Sequence, residues 1–473
     1  ADYPGKFLRA AAHNLAQGGT GAGFALEGFS TVLGGMNGAT QWFENPGSPA
    51  LQGLHAGGRF LHRFSSLAAR GRGDHGVAVL YSRHQMARQH QSQGFGTPMY
   101  RAFVTLSRLG YTPRFVTEEE VASGNFDADA LVVVGQAFPL PEEVMGGIRR
   151  FGENGGEVFV DGNTSVDIPG AERIEAAVPL TSREGKPHNW GVPNLPRGGH
   201  VYLAEMWHDQ LKGPISEALG STGRAVLVPE KGIDSDVTVM QIDGGRDATY
   251  VVAVNDSMVK SHTDWHTVTE RLIPAEEPEG RALYDLTDEK LLGEVGLVEC
   301  ELARTTARVY GLLRREVAET KLSATQEVEA GGELSVHVGF ADEEGEMVRA
   351  VLPFQITVER PGGEKVLSLY RGTTREGEFA MRWSIPANAP AGEWSVEVRS
   401  QLNGRTARLL VSVRADGDEL ARVSHPLEDD LVVRGVPRIN RLLEKLTEKN
   451  PLVLPLFGNQ ARGTVHEVVE EHL

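Results

Sequence analysis

Thiols are almost missing from this chain: one cysteine, Cys300, stands among 473 residues. A single thiol can form neither an intrachain disulfide nor a thiolate metal site. Such usage suits a cytoplasmic protein or a secreted bacterial one that avoids thiols, and an extracellular or cell-surface location is the favoured expectation. Basic residues are outnumbered, with 47 Lys and Arg against 64 Asp and Glu and a net charge of −17. A surface of that sign repels phosphate backbones and anionic lipid, so no nucleic-acid partner is expected. Long apolar runs are lacking as well. No stretch approaches the roughly 18 to 20 residues that a membrane-crossing helix needs, so no membrane insertion is expected. The start has no basic, apolar, small-residue order of an export signal. Because the chain opens on Ala1 and closes on an amphipathic helix with no stop signal, Val468-Val-Glu-Glu-His-Leu473, it reads as a piece of something longer. No phosphate loop is present. Gly18-Gly-Thr-Gly-Ala-Gly follows no apolar strand and departs from G-x-G-x-x-G spacing, which makes it a turn rather than a dinucleotide fingerprint.

What is there is architecture. His75-Gly-Val-Ala-Val-Leu-Tyr is a continuous apolar run, a strand that only a sheet covered on both faces accepts. Met99, Phe103, Leu106 and Leu109 follow at helical spacing, Gly110 marks a stop, and Pro113-Arg-Phe-Val begins the next strand. Ala130-Leu-Val-Val-Val-Gly is a third strand. Pro141 sits at a helix start with Glu142 and Glu143 at its positive end, Val144, Ile148 and Phe151 form the buried stripe, and Gly155-Gly156 precedes the strand Glu157-Val-Phe-Val. Alternation of this kind predicts an open, mostly parallel sheet.

A length of 473 residues predicts about three to four domains. Residues 1–73 form a glycine-rich segment with a helix from Pro49 to about Ala69, too small for its own core. Residues 74–225 carry the parallel sheet. Over 226–318 the period changes to two, in Val237-Thr-Val-Met-Gln-Ile, Thr249-Tyr-Val-Val-Ala-Val-Asn, Ala282-Leu-Tyr-Asp and Ala307-Arg-Val-Tyr-Gly-Leu-Leu, the mark of a β-sandwich. A second sandwich spans 319–415, where Leu334, Val336 and Val338, then Trp394, Val396 and Val398, alternate with polar neighbours. Residues 416–473 read as a linker and an incomplete βα unit. The fold class expected is therefore multidomain α/β plus all-β.

Three stretches carry a family resemblance: Asn37-Gly-Ala-Thr-Gln-Trp42-Phe, which looks like a last barrel strand; the helix that follows it to Leu67; and the strand-helix-strand from Ala130 to Asn163. With the order of blocks, they resemble the C-terminal half of bacterial β-galactosidases of glycoside hydrolase family 42. There a barrel end leads into a flavodoxin-like trimerisation domain similar to class I glutamine amidotransferases, and then into β-sandwich. Gly377-Glu-Phe-Ala-Met-Arg-Trp-Ser-Ile-Pro386 with Gly392-Glu-Trp-Ser-Val-Glu-Val resembles a macroglobulin-like or Ig-like module. The resemblance implies a homo-oligomer and, for an active protein, glycosidic hydrolysis by two carboxylates roughly 5 to 5.5 Å apart in a retaining enzyme. The earlier barrel strands that supply those carboxylates in the family have no counterpart here.

Candidate chemistry is correspondingly thin. An amidotransferase needs a cysteine on a strand-to-helix turn. The turns here read Gly135-Gln136-Ala137 and Asp161-Gly162-Asn163, and Cys300 lies elsewhere, so that activity is excluded. Ligands on open parallel sheets bind beyond the carboxyl ends of the strands. That crevice should present Ser82, Arg83, His84, Gln136, Asp161, Asn163 and Asp167, of which Gln136, Asp161 and Asn163 are the substrate-binding candidates. Trp42 on the barrel-like strand end, and Trp190 and Trp207 among His188, His200 and His208, could stack on a sugar ring; His262, Trp265 and His266 form a second such group. Glu27 and Glu44 are the candidate catalytic acids. His84 and His90 have no third ligand at supporting spacing, and neither a metal nor a cofactor is expected. The sequence therefore favours a non-catalytic assembly and accessory portion of a glycoside hydrolase-like protein. Its partners would be further copies, other segments of the same protein, or carbohydrate. A self-assembling surface or filament protein and a carbohydrate-binding module are the alternatives.

Overall fold

Two kinds of strand organise the molecule: apolar runs paired in parallel between helices, and antiparallel strands stacked sheet on sheet. The computed structural model describes residues 4–16, 49–73, 76–85, 97–124, 126–175, 213–257, 267–275, 281–303 and 306–414. It is a multidomain α/β plus all-β assembly with one wholly parallel sheet and several in which antiparallel pairing dominates, the pair of 327–329 with 412–414 being the parallel exception.

The parallel sheet contains β2 (Val77–Tyr81), β3 (Pro113–Thr117), β4 (Ala130–Val133), β5 (Glu157–Val160) and β6 (Glu172–Arg173), in the order β3-β2-β4-β5-β6. Every pairing in it is parallel. Counted from its first strand the order is 2-1-3-4-5, with a switch point between its first and third strands. Side chains alternate across the sheet, and each face buries a separate cluster. On one face Val77, Val79, Ala130, Val132 and Phe159 meet α3 (Thr97–Arg108) through Met99, Ala102 and Leu106, and a helix over 213–219 through Ile215 and Leu219. On the other, Ala78, Leu80, Leu131, Val133, Val158 and Val160 meet Val121 of α4 (Glu118–Ser123) and Val144 and Ile148 of α5 (Glu142–Glu153). Burial on both faces is why these strands read as unbroken apolar runs.

Helix α4 had no counterpart in the sequence reading. It begins at a capping box: the Thr117 hydroxyl accepts from the Glu120 amide at 3.2 Å while the Glu120 carboxylate accepts from the Thr117 amide at 2.8 Å. At its far side α5 crosses so closely that a Cβ built on Gly147 would stand 2.0 Å from the Val121 carbonyl oxygen.

The first antiparallel unit sets a six-stranded sheet against a three-stranded one. The larger runs β1 (Arg72–Gly73), β8 (Val237–Gly245), β9 (Ala248–Asn255), β14 (Ala307–Leu313), β11 (Ala282–Asp285), β12 (Lys290–Glu294); the smaller runs β13 (Val298–Leu302), β10 (Val268–Pro274), β7 (Leu227–Pro229). Val239, Val251, Ala253, Leu272, Leu283, Cys300 and Leu312 fill the space between them. The period-two expectation is only half met here, since β8 and β9 are buried almost continuously. The outer face of the six-stranded sheet is itself covered.

What covers it is α1 (Pro4–Ala16), α2 (Pro49–Arg70) and the second antiparallel unit. That unit stacks β15 (Glu319–Ala324), β17 (Glu333–Ala341) and β20 (Glu378–Ser384) on a five-stranded sheet of β16 (Glu327–Glu329), β22 (Thr406–Arg414), β21 (Gly392–Ser400), β18 (Pro353–Glu359) and β19 (Lys365–Gly372). Leu334, Val336, Val338, Trp394, Val396 and Val398 all point into its core, as their alternation requires. One cluster then runs from Leu15 through Phe60, Phe64 and Leu67 to Met240, Tyr250 and Val252 on one side and Phe354, Ile356 and Val398 on the other.

Polar contacts follow the same seam. Arg63 of α2 donates to the carbonyls of Leu286 at 2.6 Å and Thr287 at 2.9 Å, to the Glu289 carboxylate at 3.1 Å, and to the Gln401 side chain at 3.3 Å, so one guanidinium ties both antiparallel units. Arg70 donates to the Gly372 carbonyl at 2.6 Å. A Cβ on Gly372 would stand 2.8 Å from the Cβ of Ser66, so the approach of α2 to β19 depends on glycine there. Tyr250, wholly buried, donates its hydroxyl to the Val351 carbonyl, and burial raises its pKa far above the usual phenol range.

Candidate functional site

Strands β2, β4 and β5 end together, and the loops leaving their carboxyl ends bring Ser82, His84, Gln85, Gln136, Asp161 and Thr164 to one rim. Glu118 joins them from the first turn of α4, where the helix dipole favours a carboxylate. Its side chain is 3% exposed. One oxygen accepts from the Ser82 hydroxyl at 2.7 Å and the His84 amide at 3.2 Å; the other meets His84 Nδ1 at 2.5 Å. The imidazole is thus oriented by a buried carboxylate while about half its surface faces solvent.

A hydroxyl, an imidazole and a carboxylate within bonding reach invite comparison with a nucleophilic triad, but the connectivity differs. In a triad the imidazole stands between hydroxyl and acid and takes the hydroxyl proton. Here the carboxylate stands in the middle, the Ser82 proton is directed to Glu118, and the Ser82 oxygen accepts from the Gln85 amide at 3.1 Å. Ser82 is a structural bridge. Arg83 pairs with Glu119 at the exposed rim.

The second half of the rim is built the same way. Asp161, 1% exposed, accepts from the Gly135 amide at 2.8 Å and the Thr164 hydroxyl at 2.7 Å. Thr164 accepts from the Gln136 amide at 3.2 Å. The Gln136 side-chain amide donates to the Phe138 carbonyl at 2.6 Å, and its backbone carbonyl accepts from Ser165 and Val166. Gln85 crosses between the halves, its Oε1 accepting from the amides of Ala137 at 2.9 Å and Phe138 at 3.2 Å. Arg173 closes the turn by donating to the carbonyls of Asp161 and Thr164.

Of the residues singled out in the sequence, Gln136 and Asp161 are therefore adjacent and joined through Thr164, and Asn163 lies half-buried in the same turn. Asp167 is exposed farther along it. Glu27, Trp42, Glu44, His90, His188, Trp190, His200, Trp207, His208, His262, Trp265 and His266 lie outside the described residues. Glu118, Gln85 and Thr164 were missed. Glu118 sits in an ordinary Thr-Glu-Glu-Glu helix start, and only the fold shows that its neighbour is His84.

Cys300 is buried in β13, and burial pushes its thiol up to about 11, against the usual reactive range. Among the described residues no three His, Cys, Asp or Glu side chains converge on a metal-sized site, and no helix is long and apolar enough to cross a membrane.

No protein-family model matches this chain, and no curated protein matches it in sequence. Among solved structures it has weak likeness to a superoxide reductase (neelaredoxin) from Ignicoccus hospitalis, at 14% identity over 21% of this chain and 82% of that one, TM-score 0.16. A glycosyl hydrolase family 2 member from Bacteroides cellulosilyticus matches at 12% identity over 35% of this chain and 23% of that one, TM-score 0.17. Trypsin-activated alpha-2-macroglobulin from Escherichia coli matches at 14% identity over 35% and 15%, TM-score 0.18. The last two alignments span less than a quarter of those chains, and scores this low carry no conclusion about fold or activity.

Proposed function

We propose that this chain is a non-catalytic assembly and accessory portion of a glycoside hydrolase-like bacterial protein, in which a flavodoxin-like block serves as a platform and the antiparallel units hold neighbouring modules. The observation that carries the reading is the rim at the carboxyl ends of the parallel strands. Ser82, Glu118, Gln136, Asp161 and Thr164 direct their hydrogen bonds to one another and to loop backbone, which is how a fixed loop is built rather than how a substrate is met. The strand order 2-1-3-4-5 supports the flavodoxin-like assignment, being one of the two common doubly wound orders. The finer likeness to class I amidotransferases and to the trimerisation domain of family 42 β-galactosidases rests on sequence pattern. A cysteine nucleophile at the strand-to-helix turn has no counterpart in Gly135-Gln136-Ala137.

Helix α2 supports the accessory role. Wedged between the two antiparallel units and bonded to both through Arg63, it makes them one body able to hold a module at fixed orientation. The resemblance makes the assembly a closed homo-oligomer. Light scattering on the full chain, run beside hydrolysis assays with nitrophenyl glycosides, tests the reading. A defined oligomer with no turnover is expected. Turnover by this chain alone, or a monomer at all concentrations, contradicts it, and open-ended assemblies would favour the filament alternative.

A further inference from the structure

A cavity of about 390 Å³ opens where the two antiparallel units meet, and its walls carry Arg246, Arg281, Arg314 and Arg375 against only Asp243 and Asp247. The local balance is +2 in a chain whose net charge is −17. Its construction is unusual at the ladder between β11 and β14. Ala282 pairs with Leu313, so the next residues outward, Arg281 and Arg314, face each other across the strands. Like charges directly opposite on neighbouring strands destabilise a sheet, and proteins ordinarily place a carboxylate nearby to offset them.

Among the described residues neither cavity carboxylate is paired with Arg281 or Arg314. Asp243 is engaged by Arg375, which donates to it at 2.6 Å, and by the Gly245 amide at 2.8 Å. Asp247 accepts from the Arg349 amide at 2.9 Å. Among the described residues Arg246, Arg281 and Arg314 have no ion pair, and they share this one cavity. Burial, and then the Arg314 charge beside it, lower the pKa of Arg281, the cost expected for a guanidinium held without a counter-ion. A carboxylate, sulfate or phosphate placed between the facing guanidiniums would reverse that repulsion, because the planar fork of arginine matches oxyanion geometry with two parallel N–H donors.

We propose that this cavity is an oxyanion-binding site in which Arg281 and Arg314 clamp one anionic group and Arg246 covers it from the β8–β9 hairpin. Its volume is at the small end of the roughly 300–1,000 Å³ typical of small-molecule sites, which suits a free inorganic oxyanion or one acidic sugar residue. The site does not depend on the parallel-sheet rim or on the accessory role proposed above. It is formed jointly by both antiparallel units, since Arg375 comes from the β19–β20 connection, so an occupied cavity would also fasten them.

Calorimetric titration of the full chain with inorganic sulfate, inorganic phosphate, glucuronate and uncharged glucose tests the proposal. Saturable binding of at least one anionic probe and none of glucose is expected. Glucuronate binding at least tenfold more tightly than either inorganic ion would identify an acidic sugar as the source of the group; the reverse would identify the free ion. Arg281→Gln and Arg314→Gln should each weaken binding about tenfold or more, the loss of one charge-assisted pair. Both should keep or raise the unfolding midpoint in anion-free buffer, because they relieve repulsion, so lost binding would not reflect lost folding. Arg246→Gln, on the exposed hairpin, is the second probe and should weaken the same ligand. The proposal is overturned if no anionic probe binds saturably, or if binding is unchanged in all three variants.

Discussion

The parallel block and the paired antiparallel units place their charged groups differently. Around β2, β4 and β5 the carboxylates of Glu118 and Asp161 are buried but surrounded by donors, and the Gln85 side-chain nitrogen is the buried rim atom without a partner among the described residues. At the seam of the antiparallel units the apolar contact is continuous through α2, yet at its edge the guanidiniums of Arg246, Arg281 and Arg314 have no ion pair among the described residues. Mutually bonded buried groups fix a loop, and like charges facing each other across a ladder are relieved by an anion placed between them. On the proposed reading, the parallel block serves as the scaffold and the antiparallel units hold the candidate recognition site.

The largest effect that would sharpen this comparison comes from Phe64→Ala. Its ring is 1% exposed on α2, in the cluster shared by both antiparallel units, and deleting it should cost about 3–5 kcal/mol. The loss should appear in a single transition reported by both units. Separate transitions after the substitution would break the shared-body account. Ile148→Ala, buried on α5, should cost about 2–5 kcal/mol and weaken only the parallel block. Differential scanning calorimetry on both variants distinguishes the two regions, and a shift of the same transition by both would show one cooperative body throughout.

A smaller effect is expected at the rim. Glu118→Ala leaves the Ser82 hydroxyl, the His84 amide and the imidazole without their common acceptor, at about 1–3 kcal/mol. Urea denaturation followed in the parallel block should show it; a variant as stable as the parent would mean that these groups are solvated rather than bound to one another. The smallest effect is a pH dependence in the antiparallel core. Because burial raises the folded Cys300 thiol to about 11, above the ordinary thiol range, its contribution is complete below pH 9 and is lost as pH rises towards 11, where the unfolded thiol ionises and the buried one does not. At pH 9.5 the loss is about 1 kcal/mol. Cys300→Ala should lessen the slope between pH 9 and 10, below the range where the buried Tyr250, Tyr284 and Tyr310 hydroxyls dominate it, and an unchanged slope there would contradict the assignment.

Legibility of the fold followed the physics of burial. Strands β2, β4 and β5 could be read directly because burial on both faces leaves them uninterrupted apolar runs, and Leu334, Val336 and Val338 could be read because one face of β17 is polar. Helix α4 escaped because six residues following directly on a strand give no periodicity, although Thr117 and Glu120 at capping-box spacing were a usable signal. The covered outer face of β8 and β9 could not be foreseen, because the helices that cover it come from residues 4–16 and 49–70, far back in the chain.

The sites divide likewise. Gln136 and Asp161 were reachable from the rule that ligands meet open sheets at strand carboxyl ends. Glu118 was not, since it lies 34 residues from the imidazole it orients. The arginine cavity draws on four separate segments, and each arginine alone is an unremarked surface residue. Only the ladder register brings Arg281 and Arg314 face to face.

Hydrogen exchange of the full chain, followed by mass spectrometry under native conditions, tests the central claim most directly. If α2 joins the antiparallel units into one body, peptides from 60–70, 248–255 and 392–400 should open together with a common free energy. Exchange of the 60–70 peptide at a faster, independent rate, with the two units opening at different free energies, would contradict it.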